Sequence, residues 1–406
     1  METIYIGIDW SRDFVDLAII NGDGNLLLGD KILITKDGFK KLDSIIDRFQ
    51  NQFRIVAGIE SCEHILAGYL RKKQIPLHEV NPRKLHRFKE IYSLTGQKDD
   101  RYDAKMIAIY VLKNINTSQN KKIRNEESSR LMKLNSNLDI LKKDRARLVN
   151  RLKNNLQSYF PYFSRCFRDI TKPVLSALKI IQSPEKLETL TLEDFLKETN
   201  DIQWSDKRKT SLFEKLCKES PDYISPIQNE CIQYTESLID QINLLDTQIK
   251  KTKSTIDKNF KNYEGSNILS SIPAVGTTIG GVLLSELSND TLEFTDYRAF
   301  QSYAGTSPVT KQSGKTMRKV TMRYACNKNL RHALYWLAFN SITRVDWARQ
   351  FYDKQRSKGK KNSIALRSLS NKWAKIIFSM WKHQTPYSPD FFETNQKKKN
   401  LLTGFA

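Results

Sequence analysis

Two heptad seams, about a hundred residues apart, constrain this chain more than any other feature. Leu131, Leu134, Leu138, Leu141, Leu148 and Leu152 fall in steps of three and four, with Arg145 and Asn155 completing the register. A second seam runs Cys231, Leu238, Ile242, Leu245, Ile249 and Ile256, with Thr235 and Thr252 in register. A period of this kind turns one stripe of a long helix toward a partner. Two seams of similar length require an antiparallel helical hairpin within the chain or a coiled coil between chains. The hairpin is expected over 121–264. Residues 161–225 separate the seams and hold Pro161, Pro173, Pro184 and Pro221 among several aromatics, so a small helical insertion is expected at the tip.

The stretch before the first seam has a different grammar. Ile4, Ile6 and Ile8 alternate with Tyr5, Gly7 and Asp9, a period of two. Phe14–Ile20 reads as a second strand, and Asn21-Gly22-Asp23-Gly24 turns into a third over Leu26–Ile34. A helix over Asp37–Phe49, a strand over Arg54–Ile59, a helix over His64–Lys73 and a short strand over Leu77–Val80 follow. That order predicts an α/β domain over 1–120, with an antiparallel meander leading into a mixed sheet. Beyond the second seam, a mostly helical domain is expected over 265–385, with helices at Thr277–Leu287, Leu330–Ile342 and Ser363–Trp381. A basic tail covers 386–406.

The charge bears on partners. Of 406 residues, 67 are Lys or Arg and 45 are Asp or Glu, a net charge of +22. Residues 305–361 carry fourteen Lys or Arg against Asp346 and Asp353 alone, interleaved with Tyr324, Tyr335, Trp336, Trp347, Phe351 and Tyr352. Cations neutralise phosphates and aromatics stack on bases, so a nucleic acid is the expected partner. The plain alternative is a solvated basic face over an aromatic core. No run of about 18 apolar residues exists, which excludes a membrane-spanning helix. The N-terminal METIYIGIDW lacks the pattern of a secretory signal. Five scattered cysteines form no CxxC pair, so neither a disulfide framework nor a structural zinc site is expected. The chain reads as cytoplasmic.

Four acids stand out in the first domain. Asp9 ends an apolar strand, Glu60 follows Ala57-Gly58-Ile59, and Asp100 and Asp103 lie three apart at a helix start, on one face. Hard oxygen ligands from such places suit Mg²⁺, and paired ions can clamp the attacking and leaving oxygens of a phosphodiester. Singly, each acid has a plainer use, as a turn cap, a helix cap or a surface charge. Asp13, Asp16 and Asp99 lie nearby and fit the pattern less well.

Two features of the last domain complete the set. Ile272-Pro273-Ala274-Val275-Gly276 precedes a helix, and Gly276 there exposes backbone N–H groups to phosphate, in the manner of a helix-hairpin-helix module or of an ordinary Pro-started helix. Ser313, in Lys311-Gln312-Ser313-Gly314-Lys315, lies close to Arg318, Lys319, Arg323 and, further on, Arg331. A serine among cations can attack a phosphate. A Ser-Gly pair is also an ordinary loop.

Taken in order, these motifs resemble the DEDD transposases of the IS-one-ten insertion-sequence family, related to the pilin-gene invertase. The resemblance rests on Gly7-Ile8-Asp9-Trp10, Gly58-Ile59-Glu60-Ser61, Val80-Asn81-Pro82 and Asp100-x-x-Asp103-Ala104 in the first part. In the second it rests on Ser271–Gly276, Phe300–Pro308, Ser313-Gly314 and Asn329–Leu334. It covers about residues 4–160 and 265–345. Two departures stand out: Gln312-Ser313-Gly314-Lys315 replaces the usual Ser-Ser-Gly-Gly, and Pro273-Ala274-Val275-Gly276 the usual Pro-Gly-Ile-Gly.

The resemblance implies a RuvC-like RNase H fold whose Asp9, Glu60, Asp100 and Asp103 bind Mg²⁺, and a catalytic serine at Ser313 that forms a covalent link to DNA. Lys311, Lys315, Arg318, Lys319, Arg323, Arg331 and Gly276 are the expected nucleic-acid contacts. The implied partners are donor and target DNA, a bridge RNA that guides the choice of both, and further copies of the chain in a dimer or tetramer. A bacterial, nucleoid-associated location follows. The alternatives are a RuvC-like metal-dependent junction nuclease and a non-catalytic nucleic-acid-binding scaffold.

Overall fold

The computed structural model describes residues 1–60, 64–92, 100–115, 126–219, 225–287, 294–313 and 317–389. The chain divides into two compact units, Met1–Arg130 with Tyr263–Ala406, and Leu131–Asn262.

The first unit begins with the strands β1 (Thr3–Trp10), β2 (Phe14–Ile20) and β3 (Leu26–Leu33). The helix α1 (Lys36–Gln50), β4 (Arg54–Ile59), α2 (Ile65–Lys72), β5 (Leu77–Glu79), α3 (Pro82–Tyr92) and α4 (Asp100–Asn114) follow. The sheet order is β3-β2-β1-β4-β5. β1, β2 and β3 pair antiparallel, and β4 and β5 add in parallel. This mixed sheet with flanking helices is the RNase H-like, RuvC-like arrangement.

The alternation in β1 has a consequence on both faces of the sheet. Ile4, Ile6 and Ile8 join Leu17, Ile19, Ala57 and Ile59 in a core with Leu42 and Ile46 of α1 and Leu66 and Leu70 of α2. Tyr5, Ile20 and Val56 face the other way, against Leu85 of α3 and Met106, Ile107 and Val111 of α4. The turn after β2 is held by the Asn21 side chain, which accepts from the backbone N–H groups of Asp23 and Asn25. Thr35 caps α1 by accepting from the Gly38 N–H.

The second unit holds most of α5 (Glu126–Tyr159) and all of α11 (Gln228–Lys261), each 34 residues long. Between them lie α6 (Pro161–Arg165), α7 (Lys172–Ile181), α8 (Pro184–Thr189), α9 (Leu192–Glu198) and α10 (Asp206–Glu219). The two long helices lie side by side in opposite directions. Leu138 packs with Ile249 and Ile256, Arg145 forms a two-pronged ion pair with Asp246, and Asn155 donates to the Cys231 carbonyl and the Thr235 hydroxyl. Both seams therefore face each other within one chain. The intervening short helices bury Phe160, Phe163, Val174, Leu178, Phe195 and Leu216 in a core shared with the long pair.

The chain returns to the first unit through α12 (Ser266–Ser270), α13 (Thr277–Leu287) and α14 (Tyr297–Tyr303). A hairpin of β6 (Val309–Ser313) and β7 (Met317–Thr321) follows, then α15 (Lys328–Ser341), α16 (Asp346–Ser357) and α17 (Asn362–His383). Trp373 of α17 is fully buried and donates to the Ser341 hydroxyl. Gly305 adopts a positive φ, and a Cβ there would strike Cys326. The four described cysteines are free. Among the described residues no helix is long and apolar enough to cross a membrane.

Candidate active site

The first acid comes from strand alternation. Tyr5, Gly7 and Asp9 share the face of β1 that meets α4. In β4, Val56 and Gly58 share that face, and Glu60 comes next in the alternation. Ile8 is in register with Ile59, so Asp9 and Glu60 follow side by side at the same end of neighbouring parallel strands.

The helix supplies the rest. A Cβ on Gly7 would fall on the backbone of Ala104 and Ala108, and one on Gly58 would meet Ile107 and Val111. Leu112 lies beside Gly24, at the opposite end of the sheet from Asp9. The helix α4 thus runs back along β1, with Ala104 over Gly7. Its first turn, which carries Asp100 and Asp103, is brought toward the end where Asp9 and Glu60 lie. The Asp100 side chain is outside the described residues. The Asp103 carboxylate pairs with Lys89 of α3 at 2.7 Å.

Asp16, which fits the sequence pattern less well, belongs to this corner too. It is in direct register with Asp9 across β1 and β2 and is only 3% exposed. Its signal was present: it is the one charged residue inside the otherwise apolar Phe14–Ile20. Lys89 was likewise not anticipated, because the helix that carries it was not.

The serine lies on a strand. Ser313 ends β6 in register with Met317, which starts β7. Lys311 is opposite Lys319, and Gln312 opposite Arg318. The side chains of these residues, and Gly314 and Lys315 entirely, are outside the described residues. Arg331 donates to the Arg323 carbonyl at 3.3 Å, and the Nε of Arg323 is buried with no hydrogen-bond partner among the described residues. Gly276 stands exposed in open space just before α13.

With this geometry in view, the matches to known proteins fall on the same two stretches. Residues 6–161 match the DEDD transposases of the IS110 type, and residues 266–353 match the transposase family IS116/IS110/IS902. Together they cover more than half of the chain. The chain belongs to the IS110/IS116 transposase family.

Individual relatives agree, two of them over nearly their whole length. The mini-circle putative transposase for IS117 of Streptomyces coelicolor is 24% identical over 381 residues, 91% of this chain and 92% of its own. An uncharacterized protein of insertion element IS116 from Streptomyces clavuligerus is 22% identical over 396 residues, 96% of this chain and 97% of its own. A protein of insertion element IS900 from Mycobacterium paratuberculosis is 25% identical over 166 residues, 41% of this chain and 42% of its own.

For a transposase of this family, the donors at the acid corner have the right chemistry for a hard divalent cation, since they are carboxylates alone. Among the described residues, however, no three His, Cys, Asp or Glu stand together as a metal site, and Asp103 is engaged by Lys89. A bound ion would have to displace Lys89 from Asp103 and draw on Asp100. Of the aromatics interleaved with the basic run, Tyr324 is 77% exposed and Trp336 44%. Trp347 is not available for stacking on bases: it is buried against Trp373, and its N–H donates to the Tyr387 hydroxyl.

Proposed function

We propose that this transposase cuts and rejoins DNA through attack of Ser313 on a backbone phosphate, with Mg²⁺ held by Asp9, Glu60, Asp100 and Asp103. The observation that supports it most is the close approach of α4 to Gly7, which carries the Asp100–Asp103 turn toward the strand ends bearing Asp9 and Glu60. In the first step the Ser313 oxygen bonds to phosphorus and loses its proton. The bond from phosphorus to one sugar oxygen breaks and leaves a sugar hydroxyl. A hydroxyl from a second strand reverses the step, joining the new strand and freeing the serine. Mg²⁺, when bound, polarises the phosphate.

The cations support this assignment. Lys311 and Lys319 are opposed in register, with Arg318 adjacent. Basic residues at such register positions suit a phosphate partner. The orphaned Arg323 Nε fits the same role. A bridge RNA that pairs with donor and target DNA supplies sequence choice, and dimers or tetramers bring acids and serine together from different copies. Both follow the family resemblance.

A denaturing gel tests the proposal. Purified protein, RNA transcribed from the flanks of its gene and DNA spanning the element ends are expected to give a covalent protein–DNA adduct. Ser313→Ala abolishes the adduct while DNA binding persists. Free cut ends with no adduct in wild type would replace the serine reading with a metal-dependent nuclease. Full recombination by Asp100→Ala plus Asp103→Ala would make the acids structural.

A further inference from the structure

A cleft of about 470 Å³ opens between α14 and α17, lined by Tyr297, Arg298, Gln301, Ser302, Ser307, Asn371, Lys372 and Lys375. Its frame is rigid. Gln301, which is buried, donates to the Asn371 backbone carbonyl at 2.7 Å, and the buried Thr306 hydroxyl donates to the Asn371 side-chain oxygen at 2.9 Å. These bonds tie α14 and the segment after it to α17. They commit the interior polar groups to one another.

The outer groups are of one chemical kind. Arg298 and Lys375 are exposed, and both act on the Tyr297 hydroxyl. Lys375 lies over the Tyr297 ring at 4.2 Å, and Lys372 over Phe351 at 4.1 Å. The Ser302 and Ser307 hydroxyls are 3.2 Å apart at the same wall, so one proton between them still leaves the other hydroxyl to donate outward. Among the described residues no carboxylate lines the cleft. Asp296, whose charge also acts on Arg298, accepts from the Ala299 N–H as the cap of α14. The positive field is felt locally: the Tyr297 phenol is held below its usual range, first by the hydrogen bond from Arg298 and then by the Lys375 charge.

We propose that this cleft binds a backbone phosphate of the DNA, gripped by Arg298 and Lys375 and by the Ser302–Ser307 hydroxyl pair. Two cations and an outward hydroxyl donor, with no acid beside them, describe a phosphate site. The commitment to DNA rests on the serine reading above. Ser307 is six residues before Ser313, most of them along β6, so extended backbone of roughly 20 Å at most separates them. One strand can then lie at both places, and the cleft anchors it a few nucleotides from the phosphate that is attacked. The cations expected to touch nucleic acid in the basic run do not include these two.

The test is a salt titration of binding by the full-length protein to a fluorescently labelled DNA duplex. Loss of one phosphate contact lowers the slope of log affinity against log salt by about 0.9. Arg298→Gln with Lys375→Gln is expected to reduce the slope by about one and to weaken binding at low salt by about tenfold, on any duplex sequence. Ser307→Ala is expected to weaken binding a few-fold with the slope unchanged. Lys197→Gln with Lys207→Gln removes equal charge elsewhere and is expected to leave the slope nearly intact.

Equal losses in the two pairs would dissolve the cleft into a general positive field and overturn the assignment. So would a loss confined to an RNA probe. So would a phosphate-induced rise in melting temperature that the cleft pair abolishes while DNA affinity stays unchanged, since that would mark a site for free phosphate. The adduct assay is separate: if wild type forms the adduct and the cleft pair still binds DNA with the wild-type slope, this inference fails and the serine reading stands.

Discussion

At the residue scale, Gly7 does more for the acid corner than any acid does. Two residues before Asp9, it has no side chain where α4 crosses β1, and any Cβ there would overlap the helix backbone. Backbone cannot rotate out of the way as a side chain can, so Gly7→Ala must lift α4. Overpacking of this kind costs about 1–3 kcal/mol. The effect on chemistry is expected to be larger still, because the lifted turn carries Asp100 and Asp103. Gly68 gives the opposite case. It is exposed within α2, and a Cβ there meets nothing within 4 Å. Gly68→Ala is expected to gain about 0.5–1 kcal/mol, by restricting the unfolded chain, with no change in DNA cleavage. Urea unfolding and the adduct gel read both. A Gly7→Ala protein as stable and active as wild type would mean that α4 does not rest on β1.

At the scale of elements, the two long helices were the most legible part of the sequence and a short hairpin the least. Heptads declare themselves because every third or fourth residue repeats one choice. Even the polar members of the seams have a use: Arg145 meets Asp246, and Asn155 meets Thr235. The β-meander was equally plain, because isoleucines alternate. By contrast, α3 hid behind Asn81-Pro82, which reads as the end of a strand. The same two residues start the helix: the Asn81 side chain accepts from the Arg83 and Lys84 N–H groups. The β6–β7 hairpin hid because its alternation is written in cations and threonines and not in apolar residues, so Ser313-Gly314 reads as a loop. The place of Asp16 was hidden for a related reason: only pairing across strands sets it opposite Asp9. The helix pair also predicts a response to pH. The Tyr159 hydroxyl, buried beside Thr235 at 3.0 Å, is pushed up to about 12, chiefly by burial. A group whose folded pKa is raised stabilises the fold fully below its unfolded value, near 10, and loses that contribution as pH rises through the folded one. Wild type is therefore expected to lose stability to urea between about pH 10 and about pH 12 more steeply than Tyr159→Phe. Near neutral pH the variant is weaker by about 1 kcal/mol, the worth of its lost hydrogen bond. A constant gap between the two across that range would mean the hydroxyl is not buried.

For the whole molecule, the chain leaves one compact unit near Arg130 and re-enters it near Tyr263, and the excursion has a core of its own. Every acid and serine assigned to chemistry, and the cleft between α14 and α17, belong to the unit that the two chain ends build. Separate cores imply separate cooperativity. Calorimetry is expected to resolve two transitions. Phe195 is fully buried in the core of the excursion. Phe195→Ala is expected to cost about 3–5 kcal/mol there and to lower one transition alone. At temperatures below that transition the variant keeps wild-type DNA affinity, because the cations assigned to DNA lie in the other unit. Melting that shifts as a single transition would show that the long helices couple the two units into one. In that case stability lost in the excursion would reach the acid corner directly, and Phe195→Ala would lower adduct formation in step with its melting temperature.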